Sequence, residues 1–183
     1  HNQLTPISYD LTRRELLKQS LTLVQNKEDL IPFQKLDTLS FASVAFGTAH
    51  TIHFQDVLGR YIDMPHFVAS AYTTDSLMAK LKQYDIVFAA FSDTHNAPSS
   101  NYGVAKGHIH FIEQLGKHVD VVATFFANPY CLEQVKSPES LQSIVIAYQD
   151  DNDTQSYAAQ ALFGALPFRG ALPVSGSALF PQG

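Results

Sequence analysis

Polar and apolar positions along the chain divide it into short apolar runs separated by polar stretches with a helical rhythm. The most telling run is Val119 to Phe126, which only Asp120 and Thr124 interrupt, so strict alternation fails. β-Branched and aromatic side chains dominate it, the pattern of a strand buried on both faces. It closes on Asn128-Pro129, where proline offers no N–H to a ladder and holds the residue before it extended, so the chain must turn. This run is the expected central strand of a parallel sheet. Phe41 to Phe46, Tyr84 to Phe91 and Ser143 to Tyr148 read the same way, and His66 to Ala69 is a shorter, weaker strand.

Helices are expected between them: about Thr51 to Tyr61, a segment opened by Thr74 or Asp75 and running through Leu81, about Val104 to Lys117, and Thr154 to Phe163. Gly164 stands where a helix stop belongs. Cys131 to Val135 reads as a short turn or helix, and Gly170 to Ser175 as extended chain. Ahead of this alternation, Ser8 to Ser20 reads as a short amphipathic helix. Asp10 or Thr12 is its candidate cap, with Glu15 at capping-box spacing from Thr12. A strand from Leu21 to Val24, a polar turn at Asn26 to Asp29 and Leu30-Ile31-Pro32-Phe33 follow, a lead-in that docks an incoming segment.

Strands alternating with helices mark βαβ units, whose crossovers are right-handed and cover both sheet faces. The expected fold is a three-layer α/β/α sandwich on a mainly parallel sheet of about five or six strands. Residues 20–176 form the sandwich, 1–19 a linker helix from an upstream domain, and 177–183 a tail towards a possible further domain.

Composition narrows the function. With 183 residues, 45% apolar and 16% charged, the chain suits one compact domain. Asp and Glu number 17 against 12 Lys and Arg, and the net charge of -5 disfavours a nucleic-acid partner. No apolar run reaches the length of a membrane span. Cys131 is alone, and no Cys/His spacing suggests a zinc site.

Ligands of open parallel sheets bind beyond the carboxyl ends of the strands. Four loops qualify: Gly47 to His50, Ser92 to Asn101, Asn128 to Tyr130 and Gln149 to Asp153. In the second, Asp93 and His95 are candidates for an acid/base couple and Asn96 for a hydroxyl ligand, although these residue types are equally ordinary turn chemistry. His108 and His110, two apart on a helix, diverge and read as surface or packing residues. Asp150, Asp151 and Asp153 lack the glycine and terminal glutamate of an EF-hand loop, and read as a solvated acidic loop that caps the Thr154 helix. Dinucleotide, P-loop and nucleophile-elbow motifs are missing. Glu113, Glu133 and Glu139 have no spacing that suggests a catalytic pair. No cofactor and no metal is expected.

Three stretches together resemble the C-terminal α/β sandwich domain of glycoside hydrolase family 3. They are Ser20 to Asn26 with Leu30-Ile31-Pro32-Phe33; Phe126-Ala127-Asn128-Pro129-Tyr130; and Ala158 to Gly164 followed by Gly170-Ala171-Leu172-Pro173-Val174-Ser175. The Asn-Pro-Tyr turn, with the acidic loop after Ser143 to Tyr148, is most similar to the β-N-acetylglucosaminidase branch. The resemblance implies an upstream TIM-barrel domain that carries the catalytic groups, so no catalytic residue transfers to this chain. It further implies a carbohydrate substrate for the parent enzyme. In the β-glucosidase branch the second domain lends a glutamate from a loop after a strand. The corresponding loop here, Ser92 to Asn101, has none. The implied role is a non-catalytic one, bracing the barrel, with Asp93, His95 and Asn96 at the border of the sugar cleft. The alternatives are a freestanding flavodoxin-like module that binds a small ligand, and an independent hydrolase that uses Asp93 and His95. The first reading predicts an exposed apolar patch where the barrel docks.

Overall fold

The computed structural model describes residues 7–34, 36–175 and 179–182. Its elements in order are α1 (Ile7–Ser20), β1 (Thr22–Asn26), β2 (Phe41–Phe46), α2 (His53–Leu58), β3 (His66–Val68), α3 (Thr74–Leu81), β4 (Ile86–Phe91), α4 (Lys106–Leu115), β5 (Asp120–Phe125), β6 (Ser143–Ile146) and α5 (Asn152–Leu162). The six strands form one sheet in the order β1-β6-β5-β4-β2-β3. All neighbours are parallel except β1, which lies antiparallel on β6 with an irregularity between Leu23 and Gln25. The three-layer α/β/α sandwich expected from the sequence is the fold, and the Val119 run supplies β5, third of the six strands.

Continuous apolar runs are explained by the two cores. Val121, Ala123 and Phe125 of β5 face the layer of α3 and α4, together with Leu77, Leu81, Ile109, Ile112 and Leu115. Val122 and the following Phe126 face α2 and α5, with Phe54, Leu58, Ala158 and Leu162. Successive strand residues point to opposite faces, so a strand covered on both sides has no polar side to show. Small residues in α5 let it lie close to the sheet, and Ala158, Ala159 and Ala161 are all buried.

The lead-in packs onto the sandwich. The Asn26 side chain both donates to the Ile31 carbonyl and accepts from the Ile31 N–H, at 2.8 and 3.1 Å, ahead of a cis Ile31–Pro32 bond. Phe33 lies edge-on to Phe41 and Phe88, and its N–H reaches the Leu162 carbonyl at the end of α5. One detail differs. α1 is described over Ile7–Ser20, so Asp10 and Thr12 lie within the helix rather than at its cap. α1 packs against α5, and such packing stabilises a marginal helix more than a local cap signal does. Part of the tail, residues 176–178 and 183, lies outside the described residues, while Phe180 is buried against the α3 and α4 face.

Candidate functional site

The rim at the carboxyl ends of β2 to β6 gathers the four loops singled out in the sequence. Among the described residues, four of the six non-glycine residues with positive φ stand there: Asp93, Asn101, Tyr102 and Tyr148. Backbone in this region is costly for residues with a Cβ and concentrates where a fold over-determines its loops.

Adjacent β2 and β4 diverge in connection, β2 running outward to β3 and β4 inward to β5, which makes their junction the topological switch point. It is closed. Gly47, at φ +86°, packs so tightly that a Cβ there would lie 2.1 Å from the Ser92 carbonyl oxygen. Beside it, Asp150 reaches from the loop after β6 across the end of β5. Its carboxylate accepts from Ser92 Oγ at 2.9 Å, from the Asp93 N–H at 2.6 Å and from Gln155 Nε2 at 2.6 Å. Gln155 in turn accepts from the Phe54 N–H at 2.9 Å, so one network joins the ends of β4 and β6 to the starts of α2 and α5.

The acidic loop is not free. Asp151 caps α5 by accepting from the Thr154 N–H at 2.8 Å. Asp151 and Asp153 are paired with Arg13 at 2.7 and 3.1 Å, and Asp153 also lies 3.4 Å from Arg14. These arginines bolt α1 to the start of α5.

Asp93 and His95 do not meet. His95 uses both ring nitrogens on its own loop: Nδ1 accepts from the Ala97 N–H at 3.2 Å, and Nε2 lies 3.3 Å from Ser100 Oγ. An accepting Nδ1 places the proton on Nε2, which then donates to Ser100. Backbone bonds from the His95 N–H to the Tyr102 carbonyl and from the Tyr102 N–H to the Ala97 carbonyl close the same loop. His95 thus shapes the loop, while Asp93, His95 and Asn96 all stand exposed on the rim.

The closed loop presents Tyr102. Opposite it, Asn128 accepts from the Tyr130 N–H at 3.2 Å, and Pro129 opens a tight 3₁₀ turn that turns Tyr130 outward, 40% exposed. The two rings are near parallel, at 23°, with centroids 6.3 Å apart. They line a cavity of about 270 Å³ together with Asn101, Lys106, Glu133 and Gln134. The sequence pointed to Asn128 to Tyr130 and to Ser92 to Asn101 separately, and Tyr102 lies one residue past the second. That the two tyrosines come together follows from the neighbouring of β4 and β5, which local pattern does not reveal.

A second cavity, of about 300 Å³, lies between α1 and the end of β6. Tyr9 and Leu16, seven residues apart on one face of α1, are 61% and 64% exposed beside it. Tyr148 closes it from below, its hydroxyl 2.9 Å from Thr22 Oγ1; burial pushes this phenol above its ordinary value.

The remaining candidates serve packing. His108 is half-buried with its ring 4.9 Å from that of Phe46, and burial lowers its pKa; His110 is exposed. Glu113 is buried and accepts the Lys136 and Ser137 N–H groups at 2.6 and 2.8 Å, holding a loop behind the sheet. Among the described residues no cluster of three or more His, Cys, Asp or Glu side chains could hold a metal ion. No described helix is long and apolar enough to cross a membrane.

No protein-family model matches this sequence, and neither does any curated protein. Solved structures do match by fold. A fungal multi-domain GH3 β-N-acetylglucosaminidase is similar over 88% of this chain and 18% of its own, at 19% identity and a TM-score of 0.67. A β-glucoside phosphorylase is similar over 91% of this chain and 31% of its own, at 16% identity and a TM-score of 0.67. A glycoside hydrolase family 3 β-N-acetylglucosaminidase from Paenibacillus sp. is similar over 91% of this chain and 32% of its own, at 12% identity and a TM-score of 0.66. The chain therefore spans between 18% and 32% of the length of these structures. What it shares with them is the fold of one segment, the α/β sandwich found within family 3 glycoside hydrolases.

Proposed function

We propose that this chain is the non-catalytic second domain of a family 3 glycoside hydrolase of the β-N-acetylglucosaminidase type. It supports an upstream TIM-barrel domain of the same polypeptide in removing terminal N-acetylglucosamine residues. The observation that carries this reading is the match of nearly the whole chain to one segment of much longer family 3 enzymes. The sequence motifs, in the same order, agree with it.

The geometry of the rim supports a supporting rather than a catalytic part. A retaining glycosidase needs two carboxyl groups around one scissile bond. Asp150 is committed to three donors, Asp151 and Asp153 to arginines, and His95 to its own loop. The exposed apolar residues Tyr9 and Leu16 on α1 suit a face covered by a barrel. In this reading residues 1–19 link the two domains, and Asp93, His95 and Asn96 border the sugar cleft. A flavodoxin-like ligand module is less well supported, because the switch point between β2 and β4 is filled by the contact of Gly47 with Ser92.

The test is hydrolysis of a chromogenic N-acetyl-β-glucosaminide by this chain and by the polypeptide encoded by its full reading frame. The expected result is turnover by the longer polypeptide and none by the chain. Turnover by the chain alone, or a reading frame with no barrel upstream, overturns the proposal.

A further inference from the structure

Of the two tyrosines beyond β4 and β5, Tyr130 is exposed and Tyr102 is half-buried against the core. They gain little from each other, since a centroid separation of 6.3 Å lies towards the outer end of the range for aromatic pairs. Yet the chain holds Asn101 and Tyr102 at φ +50° and +59° to present one of them, and an Asn-Pro turn to present the other. Tyr130, an exposed ring on backbone fixed in this way, beside the half-buried Tyr102 that packs against the core, makes a recognition surface with little rotamer entropy to lose.

We infer that the Tyr102–Tyr130 cavity is a binding subsite for a neutral pyranose ring, an inference that rests on the glycoside hydrolase reading above. The lining matches that chemistry. A pyranose carries an apolar C–H face and a belt of hydroxyls, and the cavity offers aromatic rings beside the amides of Asn101 and Gln134. Lys106 and Glu133 contribute one charge of each sign, so the lining has no net charge with which to draw a phosphate or another anion. A volume of about 270 Å³ holds one sugar ring, not an oligosaccharide. Tyr130 is the contact of greatest weight because its ring is the more exposed; His95 acts as a positioning residue that fixes the loop of Tyr102.

The test is a two-dimensional amide NMR titration of the chain with N-acetylglucosamine, methyl β-glucoside and inorganic phosphate. Both sugars are expected to shift amides at 98–106 and 130–134, and phosphate to leave them in place. Tyr130→Ala weakens binding about tenfold, the factor that 1.4 kcal/mol of aromatic contact represents, while Tyr130→Phe retains most of it. The spectrum of Tyr130→Ala outside these loops reports on its fold. Sugar-induced shifts elsewhere only, equal affinity in Tyr130→Ala, or a preference for phosphate overturns the inference. The two readings fail separately. A longer polypeptide that hydrolyses the glucosaminide while no sugar binds here removes this subsite alone. Sugar binding through Tyr130 in a protein without glycosidase activity removes the enzyme reading and leaves the subsite.

Discussion

Asp150→Ala is the sharpest probe of how the rim is held together. The carboxylate takes hydrogen bonds from the Ser92 hydroxyl, the Asp93 N–H and the Gln155 amide, the shortest contacts being 2.9, 2.6 and 2.6 Å. Alanine leaves all three donors without it. The Asp93 N–H is exposed and takes up water at little cost, but Ser92 and Gln155 are each only 6% exposed. A buried donor deprived of its partner costs about 1–3 kcal/mol. The two together amount to about 2–6 kcal/mol, and rotation of the Ser92 hydroxyl towards another acceptor brings the expected loss to about 3 kcal/mol. At roughly 2–4 °C per kcal/mol for a chain of this size, the melting temperature falls by about 6–12 °C. The chain has no tryptophan, so circular dichroism is the assay of choice. Asp150→Asn is expected to fall between, because its amide turns an NH₂ towards one of the donors. A double-mutant cycle of Asp150→Ala with Ser92→Ala should show a coupling of about 1 kcal/mol. A change in Asp150→Ala below about 0.5 kcal/mol, within the range of an ordinary surface substitution, refutes the bridging role.

Three further outcomes are expected. Gly47→Ala places a Cβ 2.1 Å from the Ser92 carbonyl at φ +86°, so the strands β2 and β4 must part; a loss above about 3 kcal/mol in urea unfolding is expected, and a near-neutral variant would show the junction to be pliable. Burial lowers the pKa of His66 and of His108 below the ordinary imidazole value of 6.5, although Asp56 and Asp63 raise that of His66 in part. The unfolded chain therefore binds more protons than the folded one as pH drops through 6.5. Their stabilisation is complete above that value and fades as pH falls towards the depressed folded values, so His66→Gln and His108→Gln should each flatten the acid limb of a stability–pH curve. Cys131 is fully buried and burial pushes its thiol up to about 12, so a thiol reagent at pH about 8 should label it only on unfolding; rapid labelling of the native chain would contradict this packing.

Continuous apolar runs settle much of this protein before it folds. A strand without alternation, such as Val119 to Phe126, requires cover on both faces, and helices between such strands require a parallel sheet with layers on either side. Asn128-Pro129 and Gly164 mark their turns because proline lacks a donor and glycine tolerates φ +78°. The loops that crown the rim were equally readable, since they follow those strands. What the sequence could not contain was the pairing across loops. That Arg13 meets Asp151 and Asp153, that Asp150 spans β5 to reach Ser92, and that Tyr102 lies against Tyr130 all join residues distant in the chain, and each depends on the strand order. Three local readings altered: the acidic loop is tied to Arg13, Arg14 and Ser92 rather than merely solvated, Thr12 offers a cap but lies inside α1, and Asp93 and His95 are near in sequence but do not pair because His95 turns both nitrogens into its own loop. Short-range pattern determines which segments are strands and helices, because periodicity and backbone chemistry act within a few residues. The site is decided by the sheet, because only the order of strands brings the ends of separate loops within bonding distance.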